Sequence, residues 1–338
     1  MAHITSFTVE NFKRFEHFEM QNIGQFNLIV GDNNVGKTSV LEALLVEKSA
    51  AVTRYNLLKV LTEYRGIERL RESFLRSFVR RGAWMLENTE ISYDDNFKIA
   101  FIPENGHGYV WRENGIESDF DVSNDRAIKF DGTLRFDGTG IVHVPFIPFF
   151  LGYSKDLALA YSSYVQQNKE TKQTILAAMR TIVPQIEDLE INVAIAEEPT
   201  IVVWQLNEKE PMSLATFGDG TLKLLRVLLN LLIHKKERLM IDEIDAGIHT
   251  SRLHQYLKSI LDIASNLGVQ LFMTTHNWEC LEAFKEVLEE PEMQEFQTRA
   301  RCFNLAQMPD GSVKSYCYDF DDFKYAIEAP FDPREVWG

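Results

Sequence analysis

"IVGDNNVGKTSVLEAL", Ile29 to Leu44, decides the reading of this chain. Within it, Gly31-Asp32-Asn33-Asn34-Val35-Gly36-Lys37-Thr38 matches G-x-x-x-x-G-K-[ST]. Glycines at those positions let backbone N–H groups close around phosphates, and a helix that follows aims its positive end at them. Lys37 is expected to reach the β- and γ-phosphates and Thr38 to ligand Mg²⁺, with Ser39 beside it in the first helical turn. The apolar strand "FNLIV" precedes the loop and the helical "KTSVLEALLVEKSAA" follows, as the motif requires. Such a loop implies a nucleoside triphosphate. It does not separate a kinase, a GTPase, a motor and a DNA-repair clamp.

A phosphate loop needs a second carboxylate to hold the metal, and "RLMIDEIDAGIH" supplies one. Leu239, Met240 and Ile241 read as a buried strand ending at Asp242, a candidate Mg²⁺ ligand. Glu243 follows directly and suits a base that polarises the attacking water. About 20 residues upstream, "SLATFGDGTLKLL" (Ser213–Leu225) opens a long helix on a glycine-rich turn. Gly218, Asp219, Gly220 and Thr221 thus form a second candidate anion site. Because the chain's own loop already cradles its phosphates, this one is expected to meet a γ-phosphate in trans. In "LFMTTHNWE", His276 ends an apolar strand and is a candidate γ-phosphate sensor.

Composition narrows the classes. The chain has 338 residues, 45% of them hydrophobic, enough for a sizeable core. No apolar run approaches the ~20 residues that span a bilayer, and the charged N-terminal stretch is not a signal peptide. Three scattered cysteines, Cys280, Cys302 and Cys317, lack metal-type spacing and fit a reduced cytoplasm. A net charge of -15 opposes a protein coated in phosphate contacts. One basic stretch stands out: from Arg54 to Arg81, eight basic residues face three glutamates. It reads either as an amphipathic helical pair with a solvated face or as a contact for nucleic acid or an acidic partner.

Along the chain, "HITSFTVENFKRF" alternates like a strand, and Glu87 to Val144 is β-like and broken by turns. "KDLALAYSSYVQQNKETKQTILAAMRTIVP" reads as helix, and "IEDLEINVAIAEEPTIVVWQLNE" as a hairpin. A helix is expected from about Ser251 to Asn266, another at "WECLEAFKEVLE", and a last hairpin turning at "PDGS".

These motifs, in this order, resemble the Walker A, signature, Walker B and H-loop of ABC-class ATPases. Roughly 175 residues without long heptads separate Thr38 from Ser213, too few for the coiled coil of an SMC-type protein. The opening "ITSFTVENFKRF" looks like the RecF/OLD branch, in which Arg14 and Phe15 would lie near the nucleotide. "FGDGTLKLL", "LMIDEIDAGIH", "TTHNWECLEAF" and "PDGSVKSYCYDFDDFKYAIE" look like the short OLD-like ATPases of bacterial phage-defence systems such as PARIS and abortive-infection operons. The signature departs from the family pattern at Gly218, where serine is usual, which leaves backbone N–H groups as donors. No Q-loop glutamine is assigned.

The resemblance implies an α/β fold: a P-loop NTPase ABC-type ATPase head with a mixed sheet, a helical lobe (about 51–85 with 153–185) and no long coiled coil. Residues 1–338 are expected to form one such domain with a helical/β insertion at about 51–204. It implies ATP and Mg²⁺, a homodimer that sandwiches ATP, with a higher homo-oligomer possible, and a separate effector, a nuclease or toxin, since about 60 residues after His276 are too few for a fused TOPRIM domain. A cytoplasmic defence ATPase is the first expectation. A RecF-like DNA clamp using the Arg54–Arg81 stretch, or a nucleotide-gated scaffold with little turnover, are the alternatives. No membrane association is expected.

Overall fold

β1 (Phe7–Phe12) and β2 (Phe15–Met20) bury Phe7, Val9, Phe12, Phe15, Phe18 and Met20, with the alternation of a strand broken by one three-residue step in each, between Val9 and Phe12 and between Phe15 and Phe18. The stretch expected as a strand, His3 to Phe15, holds β1 and a turn, and β2 continues beyond it to complete a hairpin. Its reversal falls at Lys13-Arg14, where Asn11 (φ 51°) and Lys13 (φ 54°) take left-handed backbone. The computed structural model describes residues 3–47, 52–53, 56, 59–60, 89–94, 97–104, 108–113, 116–120, 144–149, 155–192 and 199–329. All of the Arg54–Arg81 stretch except Asn56, Lys59 and Val60 lies outside the described residues, as does most of the expected helical segment 51–85.

The remaining elements follow in order. They are β3 (Phe26–Gly31), α1 (Lys37–Ala43), β4 (Thr89–Tyr93), β5 (Phe97–Glu104), β6 (Gly108–Glu113), β7 (Ile116–Phe120) and β8 (Phe146–Ile147). Next come α2 (Lys155–Tyr161), α3 (Lys169–Arg180), β9 (Ile186–Asn192), β10 (Thr200–Gln205), β11 (Met212–Ser213), α4 (Asp219–Ile233) and β12 (Arg238–Ile241). Last are α5 (Thr250–Leu267), β13 (Gln270–Thr274), α6 (Trp278–Glu289), β14 (Ala300–Gln307), β15 (Val313–Tyr318) and α7 (Phe320–Glu328). The chain divides into two compact units, each built from segments far apart in sequence.

The P-loop unit comprises Ala2–Arg135, Phe272–His276 and Ala300–Gly338. One sheet in it is wholly antiparallel, in the order β2-β1-β4-β5-β6-β7. A second set runs β15-β14-β3-β13 through the Phe272–Thr274 half of β13. There β14 is parallel to β3 and antiparallel to β15, which makes the sheet mixed. Every residue of β3 is buried, as befits an interior strand that reads as a continuous apolar run. The Tyr93 hydroxyl donates to the Val46 carbonyl at 3.0 Å and so ties β4 to the segment just past α1. At the β14–β15 turn, Asp310 accepts from the Ser312 N–H (2.9 Å) and Gly311 has φ 88°, the geometry expected of "PDGS".

The acidic-turn unit comprises Phe136–Leu271 and Asn277–Arg299. β8 pairs parallel to β12, and β9, β10 and β11 form an antiparallel sheet. The stretch expected as helix at 155–184 consists of α2, a π-turn at Ser162–Gln166, and α3, whose N-terminus Asn168 caps by accepting from the Thr171 N–H. α4 is apolar on nearly all sides, with Leu224, Leu225, Val227, Leu228, Leu229 and Leu231 buried, so it is the core helix of its unit. α5 ends on Gly268 at φ 66°. Among the described residues, no helix is long and apolar enough to cross a membrane.

Candidate nucleotide site

β3 delivers the chain into a loop with three left-handed residues: Gly31 (φ 135°), Asn34 (φ 65°) and Gly36 (φ 116°). Left-handed residues interspersed in a turn are what build a concave nest of N–H groups. Asp32, Asn33 and Asn34 are exposed along it, while Val35 anchors it in the core. Lys37 is buried, and its ammonium donates to the carbonyls of Gly31 (2.7 Å) and Asp32 (3.1 Å), so its charge lies inside the loop. Thr38 and Ser39 follow, half-buried, in the first turn of α1.

The β1–β2 turn forms the loop's support. A Cβ on Gly36 would sit 2.8 Å from Phe15 Cζ and 3.1 Å from Arg14 Cδ, so both side chains lie against the loop. The two differ in what they offer. Phe15 is 1% exposed and stacks on Phe18 at 4.7 Å, a buttress beneath Gly36, whereas Arg14 is exposed and open to an anion. Lys13 pairs with the buried carboxylate of Glu42 in α1. Removing Lys13 would take this cation from a buried carboxylate. His276 belongs to the same unit. Thr275 donates its N–H to the Ile29 carbonyl (3.2 Å), and His276 follows, exposed, one residue beyond that junction with β3.

In the acidic-turn unit, β12 ends as the sequence predicts. The Asp242 N–H donates to the Ile147 carbonyl at 2.8 Å, and Asp242 is buried. Glu243 is half-buried at φ 48°, a left-handed non-glycine conformation that persists only when its surroundings hold it. Lys223 of α4 donates to the Asp242 carbonyl (3.2 Å) and to the Glu243 carbonyl. Burial pushes the Lys223 ammonium down to about 8, against the pull of the Asp245, Asp242 and Glu243 carboxylates, which favour its charge. Tyr256 of α5, fully buried, donates to the Ile244 carbonyl at 3.0 Å.

The glycine-rich start of α4 lies against the same turn. A Cβ on Gly220 would meet the Gly247 carbonyl oxygen at 2.4 Å, so only glycine permits this approach. The four residues expected to act together are thereby divided. Gly218 and Asp219 are exposed, and Gly220 and Thr221 are buried. Gly218 caps α4 without a side-chain hydrogen bond, and a Cβ there would meet nothing within 4 Å.

Sequence reasoning missed Lys223, Gly247 and Tyr256. For Lys223 a signal was present: it and Arg226 are cations three residues apart in the otherwise apolar "LKLLRVLLNLL", a pattern that calls for buried partners. Arg226 finds one in Asp156 of α2, at 3.3 Å.

Residues 3–104 match the family model described as an AAA ATPase domain. Residues 164–281 match a second, described as an AAA domain, putative AbiEii toxin, type IV TA system. Over these two segments the chain is similar to AAA-type ATPase domains. The ATPase is 23% identical over 379 residues to an ATP/GTP phosphatase of Helicobacter pylori, which spans 96% of this chain and 98% of that protein. Its fold is that of an SMC-type P-loop ATPase head. An SMC head bound to the C-winged helix domain of ScpA superposes with a TM-score of 0.56 at 13% identity, over 94% of this chain and 98% of that one. An SMC head with an extended coiled coil, bound to the C-terminal domain of ScpA derived from Pyrococcus furiosus, gives 0.54 at 12% identity, over 97% and 99%.

Proposed function

We propose that this ATPase closes as a head-to-tail pair around ATP and that its nucleotide state controls a separate effector, a nuclease or toxin, in anti-phage defence. The observation that carries the paired reading is the start of α4: exposed at Gly218, without a side-chain cap and unobstructed there, a 15-residue helix presents its positive end to solvent. The P-loop of one copy binds the phosphates through Lys37 and the loop N–H groups. Gly218 and Asp219 of the other meet the γ-phosphate. Thr38 and Asp242 offer the hard oxygen donors that suit Mg²⁺, which when bound supplies charge neutralisation at the phosphates. Glu243 orients and deprotonates the attacking water, and His276 senses the γ-phosphate. The effector reading draws support from the toxin-system description attached to residues 164–281 and from the SMC heads seen bound to a partner protein.

Two expected results test this. Lys37→Ala removes the buried ammonium, a loss of charge-assisted hydrogen bonding that weakens ATP affinity about 10- to 100-fold; unchanged affinity in a fluorescent-nucleotide titration would refute the P-loop assignment. In the second, Glu243→Gln is co-expressed with its chromosomal neighbours, purified with ATP and Mg²⁺, and sized by light scattering. A dimer holding a stoichiometric protein partner is expected, and the dimer is abolished when Gly218→Glu is added. Because nothing crowds Gly218, that second change leaves monomer stability within about 0.5 kcal/mol. A monomer that binds DNA without a protein partner would instead support a DNA clamp.

A further inference from the structure

Three consecutive carbonyl oxygens, those of Asp242, Glu243 and Ile244, accept hydrogen bonds from side chains of the two flanking helices. Lys223 of α4 takes the first two and Tyr256 of α5 takes the third. The middle residue is the one with left-handed backbone. A strand that ends in a left-handed residue turns its peptide groups away from the ladder, so their carbonyls need other donors if they are to stay out of water. Here the donors are a buried ammonium and a fully buried phenol. From the other side, the 2.4 Å approach of Gly247 to the Cβ position of Gly220 fixes the far end of the turn against the same helix, α4.

We infer that Lys223 is a positioning residue for hydrolysis: by holding the carbonyls of Asp242 and Glu243 it fixes the left-handed turn that sets the direction of the Glu243 carboxylate, with Tyr256 as its second support. The inference rests on the reading of Glu243 as the base. The Lys223 ammonium donates to backbone carbonyls, so it acts through the geometry of the turn. A second consequence follows from its place on α4, five residues after Gly218. Movement of that helix start is transmitted to the turn through Lys223 and through the approach of Gly247 to Gly220.

The test is steady-state ATPase turnover and nucleotide affinity of the full-length chain for wild type, Lys223→Met, Glu243→Gln and the double variant. Methionine keeps the length and apolar stem and removes the donor. Lys223→Met is expected to lower kcat about 30-fold while ATP affinity stays within about threefold, because an interaction acting only on the reacting geometry leaves binding alone. In the Glu243→Gln background it is expected to cause no further loss, since two residues acting as one unit are non-additive. Wild-type kcat for Lys223→Met, a loss expressed wholly in affinity, or full additivity with Glu243→Gln would each overturn the inference while leaving the base reading standing. Normal turnover by Glu243→Gln would remove the base reading and the inference with it. If Lys223→Met does not fold, Tyr256→Phe carries the test: it deletes only the hydroxyl, and a kcat about fivefold lower at unchanged affinity is expected. Unchanged kcat there would overturn the inference.

Discussion

Glu243→Gln is expected to bind ATP as tightly as the wild type and to hydrolyse it about 10²- to 10³-fold more slowly, the usual range for loss of a general base. The substitution isolates one property. Glutamine has the same length and branching as glutamate and tolerates the φ of 48° no worse, since the strain there is one of backbone and Cβ. The three side-chain hydrogen bonds that hold this turn go to main-chain carbonyls, which the change leaves in place. What is lost is the negative charge and, with it, the ability to accept a proton. Single-turnover hydrolysis with bound ATP measures the chemical step, and a nucleotide titration measures binding. Normal turnover would assign the base elsewhere; a parallel loss of affinity would mean that Glu243 holds the metal or nucleotide. In either case the proposed division of labour between Asp242 and Glu243 fails.

What was legible in the sequence is what local geometry dictates. A phosphate loop needs glycine where the backbone turns left-handed, so Gly31 and Gly36 announce it without any tertiary information. The "PDGS" turn was legible for the same reason, and the hairpin of β9 and β10 from its two runs rich in β-branched residues. The end of β12 at Asp242 was readable because a buried strand ends where a charge begins. The second strand of the β1–β2 hairpin was missed because its turn residues, Asn11 and Lys13, are not glycine and the spacing of Phe15, Phe18 and Met20 is irregular. α7 was missed because "DFDDFKYAIE" is short, its cap, Asp319 accepting from the Asp322 N–H, being its clearest signal. The deepest misses depend on contacts remote in sequence. Phe15, expected near nucleotide, lies in the core against Gly36, and Gly220, expected to face a phosphate, is the gap through which the Gly247 carbonyl approaches; neither placement is written in the local sequence. No periodicity encodes that Lys223 and Tyr256 donate to a turn some 20 and 12 residues away.

Gly31→Ala is expected to be the most damaging single methyl group in the P-loop unit. Two independent penalties coincide at this residue. Its φ of 135° is a conformation that L side chains rarely adopt, and a Cβ there would lie 2.4 Å from the Leu305 carbonyl oxygen. The second contact cannot be relieved by a side-chain rotation. Leu305 is paired in register with Gly31 where β14 runs parallel to β3, so its oxygen moves only if the strand moves. Strain of about 1–3 kcal/mol and overpacking of about 1–3 kcal/mol add to roughly 4 kcal/mol. Gly311→Ala separates the two. It has φ 88° with nothing within 4 Å of a Cβ, so it carries the backbone penalty alone, about 1 kcal/mol. Urea unfolding of both variants is the measurement, with nucleotide affinity as its companion. A large drop in midpoint for Gly31→Ala and a small one for Gly311→Ala would mean that the approach of β14 sets the shape of the loop. Equal small drops would mean that the loop yields around an added methyl group. In that case ATP affinity should still fall, because Lys37 donates to the Gly31 carbonyl itself and any rotation of that peptide displaces the ammonium that reaches for the phosphates.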